Sequence, residues 1–381
     1  MTNLEKWLWL TVKCGISRAK IKIMLDEVFK TVDNIYEAPY ESFSQFRLSP
    51  SEKNRLADKS IDGIDGFIKT LAKYDVKIIT SDMAEFPYLL KQTCDYPYVL
   101  YCRGKKFINL NDYLCVAVVG SRKATPYGTN VARAISSDIA KNGILVVSGM
   151  ADGIDAAAHL GALDAHMPTV AVLGCGINRV YPASNAYLMK RIMETGMVIT
   201  EYPPNAEPLK HHFPERNRII SGICRGTAVI EATFRSGSLI TARLANDNGR
   251  DVFAVPGNIN NLNSKGTNQL LKDGAYVLTN ADDILNMYIT RDEEKMQNAI
   301  DQNAEDFNKF FDFEPEDTEE DGGENSPEEK ILSALANGPL HSDKIAEITN
   351  LDISSLSTAL LTLQMDGKIF ANAGNIYELA I

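Results

Sequence analysis

The sequence has few cysteines, and no two of them have the spacing of a metal or redox motif. The six cysteines are scattered without a CxxC pair, which argues against a zinc site and against a dithiol redox centre. No apolar run approaches the roughly 18 residues of a membrane span. The first residues, MTNLEKWLWL, are too short and too acidic for a signal peptide. The composition therefore predicts a cytoplasmic protein without a membrane span.

The common nucleotide-binding motifs are also missing. No GxxxxGKS or GxxxxGKT segment is present, which excludes a P-loop. The segment VLGCGINRVYP, residues 172–182, resembles the dinucleotide fingerprint GxGxxG, but Arg179 stands where the third glycine is required. No acidic residue is evidently placed to bind a ribose. We therefore expect no cofactor.

The chain has no excess of positive charge, since 39 basic residues face 50 acidic ones and the net charge is −11. The imbalance is confined to one window. Residues 301–330 contain thirteen acidic residues and two lysines, which accounts for the whole net charge. The remainder is neutral overall, so the composition does not argue against an anionic ligand.

Hydrophobic periodicity and composition divide the 381 residues into four segments. They are a helical domain at 1–72, an α/β domain at 73–290, an acidic linker at 291–325 and a winged helix-turn-helix domain at 326–381. The turn CGIS at 14–17 is compatible with a helix-hairpin-helix DNA-binding module. It lacks a second glycine and nearby basic clusters, so a packing role is favoured. The segment SPEE predicts a helix start capped by Ser326.

The α/β domain alternates short β-branched runs with amphipathic helical segments. This rhythm predicts a doubly wound parallel sheet. The predicted strands are CVAVVG (115–120), ILVVSG (144–149), TVAVLG (169–174), MVITEY (197–202), GTAVIEA (226–232) and DVFAVPG (251–257).

Anion-binding features follow two of these strands. Ligands of open α/β sheets bind beyond the carboxyl ends of the strands, where glycine allows close backbone approach and helix N-termini present N–H groups. The candidate residues after the first and fifth strands are Gly120, Ser121, Arg122, Ser236, Gly237 and Ser238.

The segment LKHHFPERNRI, residues 209–219, follows the fourth strand and gathers cations, an amide and an aromatic ring. The cations can bind phosphates, the ring can stack on any base, and the amide can bind a base edge or a backbone oxygen. The candidates are Lys210, Phe213, Arg216, Asn217 and Arg218. The alternative is a helix-capping segment with surface salt bridges to Glu201, Glu207 and Glu215.

The second strand is followed by SGMADGIDAAAH, residues 148–159. Asp152 is expected to cap the next helix, with Asp155 as its third helical residue. Asp155 and His159 share a helix face, but no third ligand is evident, so no metal site is expected.

Together, VVGSRKATPYG, SGMADGIDAAAH, VLGCGINRVYP, FPERNRIISG, EATFRSGSLITA and GRDVFAVPG resemble the DNA-processing protein A family, also called DprA or Smf. The resemblance implies an extended Rossmann-like domain without nucleotide-dependent catalysis. It implies a homodimer that binds single-stranded DNA and loads RecA during natural transformation. The family's phosphate pocket corresponds here to Ser121, Arg122 and the Lys210-to-Phe213 spacing, followed by Arg216 to Arg218. The GIN at 176–178 departs from the family pattern, and the role of Asn178 stays open.

Two classes of function remain, a non-enzymatic single-stranded DNA binder and a nucleotide-binding or nucleotide-hydrolysing Rossmann-like enzyme. The enzymes of the second class use a PGGxGTxxE loop, whereas EATFRSGSLITA has no following acid until Asp247. This absence favours binding. A weaker third possibility is a transcription regulator that acts through the winged helix. Residues 326–381 contain three lysines, no arginine and seven acidic residues, which favours protein contacts over duplex DNA.

Overall fold

The computed structural model describes residues 1–311, 327–336, 338–351, 355–356, 359–360, 362–363, 368–372 and 376–379. The chain divides into two compact units, Met1–Phe311 and Asp312–Ile381. No helix among these residues combines the length and the apolar character needed to cross a membrane.

The first unit begins with a helical region, as the periodicity predicts. Thr2 and Glu5 form a capping box that starts the first helix. The side chain of Trp9 is fully buried and donates its indole N–H to the carbonyl oxygen of Asp58 at 2.9 Å. The helices are α1 (Asn3–Leu8), α2 (Arg18–Met24), α3 (Val32–Glu37), α4 (Pro50–Ala57) and α5 (Ile64–Ala72).

The basic residues around the CGIS turn are engaged within this unit. Lys13 pairs with Asp58 at 3.4 Å, and Lys20 pairs with Glu52 at 2.7 Å. Arg18 binds the carboxylates of Asp95 and Glu201. These contacts favour the packing interpretation of the turn.

A nine-stranded sheet forms the centre of the first unit. Its strands are β1 (Val76–Thr80), β2 (Val99–Arg103), β3 (Leu114–Val119), β4 (Ile144–Ser148), β5 (Thr169–Val172), β6 (Met197–Thr200), β7 (Gly226–Val229), β8 (Asp251–Ala254) and β9 (Tyr276–Val277). The order across the sheet is β1-β2-β6-β5-β4-β3-β7-β8-β9. The strand β2 is antiparallel to both neighbours. The other strands after it in this order, β6-β5-β4-β3-β7-β8-β9, are parallel to one another. The doubly wound prediction is confirmed, with three further strands.

Helices cover both faces of this sheet. They are α6 (Tyr88–Lys91), α7 (Pro126–Lys141), α8 (Ile154–Asp164), α9 (Ala186–Thr195), α10 (His212–Ile223), α11 (Gly237–Asp247), α12 (Lys265–Lys272) and α13 (Asp282–Phe311). One apolar cluster joins strand residues to α7, α8 and α13, and another joins them to α6 and α10. The N-terminal helices share a third cluster with β1 and β2.

The predicted linker starts too early. The helix α13 continues to Phe311, with a non-helical residue at Asp292. Met296 and Ala299 are buried on this helix because their three-residue spacing gives an acidic segment one apolar face. The rest of the predicted linker, 312–325, and the predicted cap Ser326 lie outside the described residues.

The second unit contains α14 (Pro327–Leu335), α15 (Ser342–Thr349) and a small sheet of β10 (Leu340–His341), β11 (Ile369–Asn372) and β12 (Ile376–Leu379). Both strand pairs of this sheet are antiparallel, in the order β10-β12-β11. A small core that includes Ile331, Ile345 and Leu363 joins these elements. This arrangement agrees with the predicted winged helix.

Candidate nucleic-acid interface

A crevice opens where the connectivity of the sheet reverses. The strand β3 pairs with β4 on one side and with β7 on the other. The chain leaves the carboxyl ends of β3 and β7 in opposite directions, which creates the usual ligand position of an open α/β sheet. The resulting cavity has a volume of about 460 Å³. It is lined by Val119 at the end of β3, by residues 120–123 after it, and by residues 233 and 236–238 after β7.

The loop after β3 presents one exposed arginine from a fixed backbone. Gly120 follows the strand directly, and the Ser121 side chain is buried with its hydroxyl accepting a hydrogen bond from the Lys123 N–H at 3.1 Å. The N–H of Ile154 at the start of α8 donates to the Ser121 carbonyl at 3.2 Å. Arg122 is exposed beside the crevice. The loop therefore holds this cation at the strand end.

The loop after β7 starts α11 at the crevice. The Ser236 hydroxyl caps the helix by accepting from the Ser238 N–H at 3.4 Å, and the two hydroxyls lie 2.7 Å apart. The Asn217 amide on α10 donates to the Gly237 carbonyl at 3.2 Å. Asn217 therefore links the two helices, and the positive end of the α11 dipole lies at the cavity.

Arg216 forms the floor of the crevice. Its side chain is buried and donates through Nη1 to the carbonyl oxygen of Val172, at the end of β5. Gly149 leaves room for the Arg216 guanidinium, which a Cβ at this position would displace. Burial lowers the pKa of Arg216 to about 10, with Asp155 opposing the shift and Arg122 adding to it. Arg216 therefore charges the crevice from below.

A buried polar layer continues beneath Arg216. Burial raises the pKa of Asp155, whose carboxylate accepts from the Ala151 N–H at 3.4 Å. The Thr169 hydroxyl donates to the Val146 carbonyl at 2.8 Å, so His159 Nδ1–H must donate to the Thr169 oxygen, also at 2.8 Å. Burial lowers the pKa of His159 to about 3. His159 is thus a neutral packing histidine.

The predicted helix cap Asp152 has another role. The helix α8 begins at Ile154 with Gly153 as its N-cap residue, so Asp152 lies one position too early to cap it. Asp152 instead accepts from the Ser184 hydroxyl at 2.8 Å. Across the described part of the chain, no group of three or more His, Cys, Asp or Glu side chains is placed to hold a metal ion.

Two aromatic rings border the crevice. The Phe213 ring lies 5.2 Å from the Tyr181 ring, centroid to centroid, and the Arg122 guanidinium carbon lies 5.2 Å from the Phe213 centroid. Glycine at 174 makes room for Phe213, since a Cβ there would lie 2.8 Å from the ring. A cation and two rings are thus brought together for stacking and phosphate contact.

The structure does not bring all candidates together. Arg218 is buried on another side of α10, where it donates to Glu201 and to the Asp95 carbonyl. Arg18 of α2 binds Asp95 at 2.6 and 2.8 Å and Glu201 at 3.0 Å. This network ties the N-terminal helices to the sheet and matches the salt-bridge alternative for Arg218. Lys210 is exposed before α10 and is not among the residues lining the cavity.

Several lining residues were not among the sequence candidates. Lys123 and Thr233 lie inside motifs that the sequence already singles out, so the signal was present. Asn263 comes from a distant loop and donates to the Lys123 carbonyl at 2.9 Å; no sequence signal places it there. Asn178 donates to the Asn205 side chain at 3.2 Å, a local contact that leaves its functional role open.

Comparison with known families identifies the relationship. The family model described as DNA recombination-mediator protein A matches residues 77–289, more than half of the chain. The chain belongs to this family. The model of the DprA winged helix domain matches residues 314–375. The family match covers the crevice and every candidate residue.

Individual relatives agree with this assignment. Protein Smf of Escherichia coli is 35% identical over 305 residues, which cover 79% of this chain and 77% of the relative. DNA processing protein DprA of Streptococcus pneumoniae is 42% identical over 200 residues, covering 52% of this chain and 70% of the relative.

Two solved structures of the family resemble the chain. The S. pneumoniae DprA structure aligns with a TM-score of 0.65 at 35% identity, covering 75% of this chain and 97% of the other. The Helicobacter pylori DNA processing protein A structure, described for its single-stranded DNA binding mode, aligns with a TM-score of 0.52 at 30% identity. It covers 57% of this chain and 97% of the other.

Proposed function

We propose that the chain binds single-stranded DNA at the crevice and acts as a recombination mediator that protects incoming DNA in natural transformation. The observation that carries this proposal is the convergence of Arg122, Phe213 and the α11 N-terminus at one sheet edge. The cation and the helix N-terminus suit phosphates, and the ring suits any base. The H. pylori relative, described for its single-stranded DNA binding mode, supports the choice of ligand.

The proposed interface keeps most of the sequence candidates. Gly120, Ser121, Ser236, Gly237 and Ser238 supply backbone and hydroxyl groups, Asn217 positions the two helices, and Arg216 contributes charge from the floor. Lys210 would contact the strand outside the cavity. Arg218 is left out, because its guanidinium is engaged with Glu201 and Asp95.

We further propose that the protein forms a homodimer and loads RecA onto the bound strand. Family membership supports both steps. The acidic composition of the C-terminal unit supports a protein-binding role for the winged helix.

A binding function without turnover fits the position of Glu231 better than hydrolysis does. Glu231 is buried and accepts from the Thr125 N–H at 2.9 Å, the Thr125 hydroxyl at 2.5 Å and the Asn263 amide at 3.3 Å. Both oxygens are therefore engaged in holding loops, and Glu231 is poorly placed to attack a ribose or activate water. Incubation with nucleoside monophosphates, NAD or ATP is expected to release neither base nor phosphate.

The decisive experiment compares ligands by fluorescence anisotropy at fixed salt. A single strand, a blunt duplex of the same length and a mononucleotide are titrated against the full chain and a chain ending at Phe311. We expect the single strand to bind most tightly, and both chains to bind it alike. Equal affinity for duplex and single strand would refute the proposed interface. A large loss in the shortened chain, with the first unit still folded, would show that the winged helix contacts DNA.

A further inference from the structure

A second cavity lies at the amino-terminal ends of the parallel strands, whereas the crevice lies at their carboxyl ends. Its volume is about 510 Å³, within the usual range of small-molecule sites. Leu114 opens β3, and Arg225 and Arg250 directly precede β7 and β8. The helices α6 and α13 close the sides through Tyr88 and Lys295. The candidate DNA interface uses none of these residues.

The cavity is positively charged. Arg225, Arg250 and Lys295 line it against one acidic side chain, Asp292. Burial lowers the pKa of Arg250, and the nearby Arg225 lowers it further. Arg225 and Asp292 are 3.7 Å apart, and the Arg225 side chain remains 47% exposed. Arg225 and Arg250 repel each other in a partly buried site. A bound anion would offset this repulsion.

Two buried polar atoms of the cavity wall are incompletely satisfied. Asp292 is 9% exposed, and its Oδ2 has no hydrogen-bond partner among the described residues. The same holds for Arg250 Nε, although Arg250 Nη2 donates to the Leu89 carbonyl at 3.0 Å. Asp292 also interrupts the helical geometry of α13, with φ −133° and ψ 23°. Buried polar groups without partners are uncommon, and these two leave the charges of Asp292 and Arg250 incompletely compensated beside the cavity.

The remaining lining suits a planar group. Leu89, Leu110 and Ile223 provide apolar surface, and the Tyr88 ring is 64% exposed at the mouth. Gln92 and Asn111 add amide groups. Cations, a hydrogen-bond-accepting carboxylate and an exposed ring together match a phosphate, a sugar hydroxyl and a base.

We propose that this cavity binds a nucleoside monophosphate, with the phosphate on Arg225 and Lys295, a hydroxyl donating to Asp292 and the base against Tyr88. The site is separate from the crevice, so the inference does not depend on the proposed DNA-binding function.

The test uses AMP, inorganic phosphate and adenosine as probes of the full chain by isothermal titration calorimetry. AMP is expected to bind more tightly than either fragment. Arg225→Ala and Tyr88→Ala should each weaken AMP binding about ten-fold, the size of one charge-assisted hydrogen bond or one stacking contact. Both side chains are substantially exposed, so the variants should fold. Arg243→Ala removes an arginine that is 84% exposed on α11 and serves as the matched control.

A variant in the crevice locates the bound AMP. Arg122→Ala should leave AMP affinity unchanged if AMP occupies the second cavity. The inference is overturned if AMP does not bind at about 10 mM, if Arg225→Ala has no greater effect than Arg243→Ala, or if Arg122→Ala abolishes binding. Phosphate binding as tight as AMP binding would reject a nucleotide as the ligand.

Discussion

Two sides of the helix α10 use arginine in different ways. Arg216 lies under the crevice and donates to a backbone carbonyl, whereas Arg218 lies against the N-terminal helices and binds carboxylates. Residues two positions apart on an α-helix are separated by about 200° around its axis. A cluster of cations in a helical sequence therefore need not form one binding surface.

The difference in partners explains the difference in role. The carboxylate of Glu201 accepts a hydrogen bond from Arg218, and the Asp95 carboxylate lies 3.6 Å from its Nε, so both compensate the charge of Arg218. Asp155 opposes the lowered pKa of Arg216, but the hydrogen bond of the Arg216 guanidinium goes to the Val172 carbonyl and not to a carboxylate. The charge of Arg216 is thus less compensated and contributes to the potential of the crevice.

Removal of Arg218 should give the largest effect, and on stability. Arg218→Ala removes the buried guanidinium that pairs with Glu201 and leaves this carboxylate with Arg18 alone. Breaking a buried ion pair costs about 3–5 kcal/mol. Urea denaturation of Arg218→Ala and of the exposed-site control Arg47→Ala measures the difference in free energy of unfolding. Single-stranded DNA affinity of the folded variant should match the wild type. Unchanged stability together with lost DNA affinity would show that Arg218 belongs to the DNA interface.

The buried layer beneath Arg216 should make stability depend on pH. The folded-state pKa of His159 is about 3, below the ordinary value of 6.5, so protons bind preferentially to the unfolded chain. This contribution is complete above pH 6.5 and is lost as the pH falls towards 3, by about 3 kcal/mol between pH 7 and pH 4. His159→Asn keeps an N–H donor but does not titrate.

The pH slope of the free energy of unfolding, from urea denaturation at several pH values, should therefore be shallower in His159→Asn than in the wild type. The slope, rather than the stability at one pH, is the readout, because the substitution also changes packing. Equal slopes would show that the pKa of His159 in the folded protein is the same as in the unfolded chain.

Much of the architecture could be predicted because its signals are local. The β-branched runs indicate buried strands, and the glycines and helix starts at their carboxyl ends indicate the crevice. The direction of Arg218 could not be predicted, since it depends on carboxylates contributed by two other segments. Asn263 reaches the site from a separate loop. The early residues of the predicted linker were misjudged because acidic composition concealed the apolar face of α13.

Phe213 should contribute to DNA affinity without contributing to its salt dependence. Phe213→Ala removes the ring beside Arg122 and Tyr181, and loss of base stacking costs about 1–3 kcal/mol. Stacking releases no counterions, so a plot of log affinity against log salt should keep its slope. Tyr127→Ala, which removes a ring that is 58% exposed on α7, is the control for loss of an aromatic side chain. Equal affinity in the Phe213 variant and this control would exclude stacking.

Arg122 and Lys210, unlike Phe213, should contribute to the salt dependence of DNA binding. Each should contribute less to affinity than Phe213 does. Each alanine variant should weaken binding to all single strands alike and flatten the salt slope by about 0.7 per lost phosphate contact. Arg122 lies at the crevice and Lys210 outside it, so a change in both slopes would extend the DNA path along the start of α10. Arg47→Ala and Lys69→Ala remove exposed cations of the helical region and should leave the slope unchanged. An unchanged salt slope for Arg122→Ala would show that the crevice does not neutralise DNA phosphates. Phosphate neutralisation is the property that distinguishes this side of α10 from the side of Arg218, so the DNA path would then exclude the crevice.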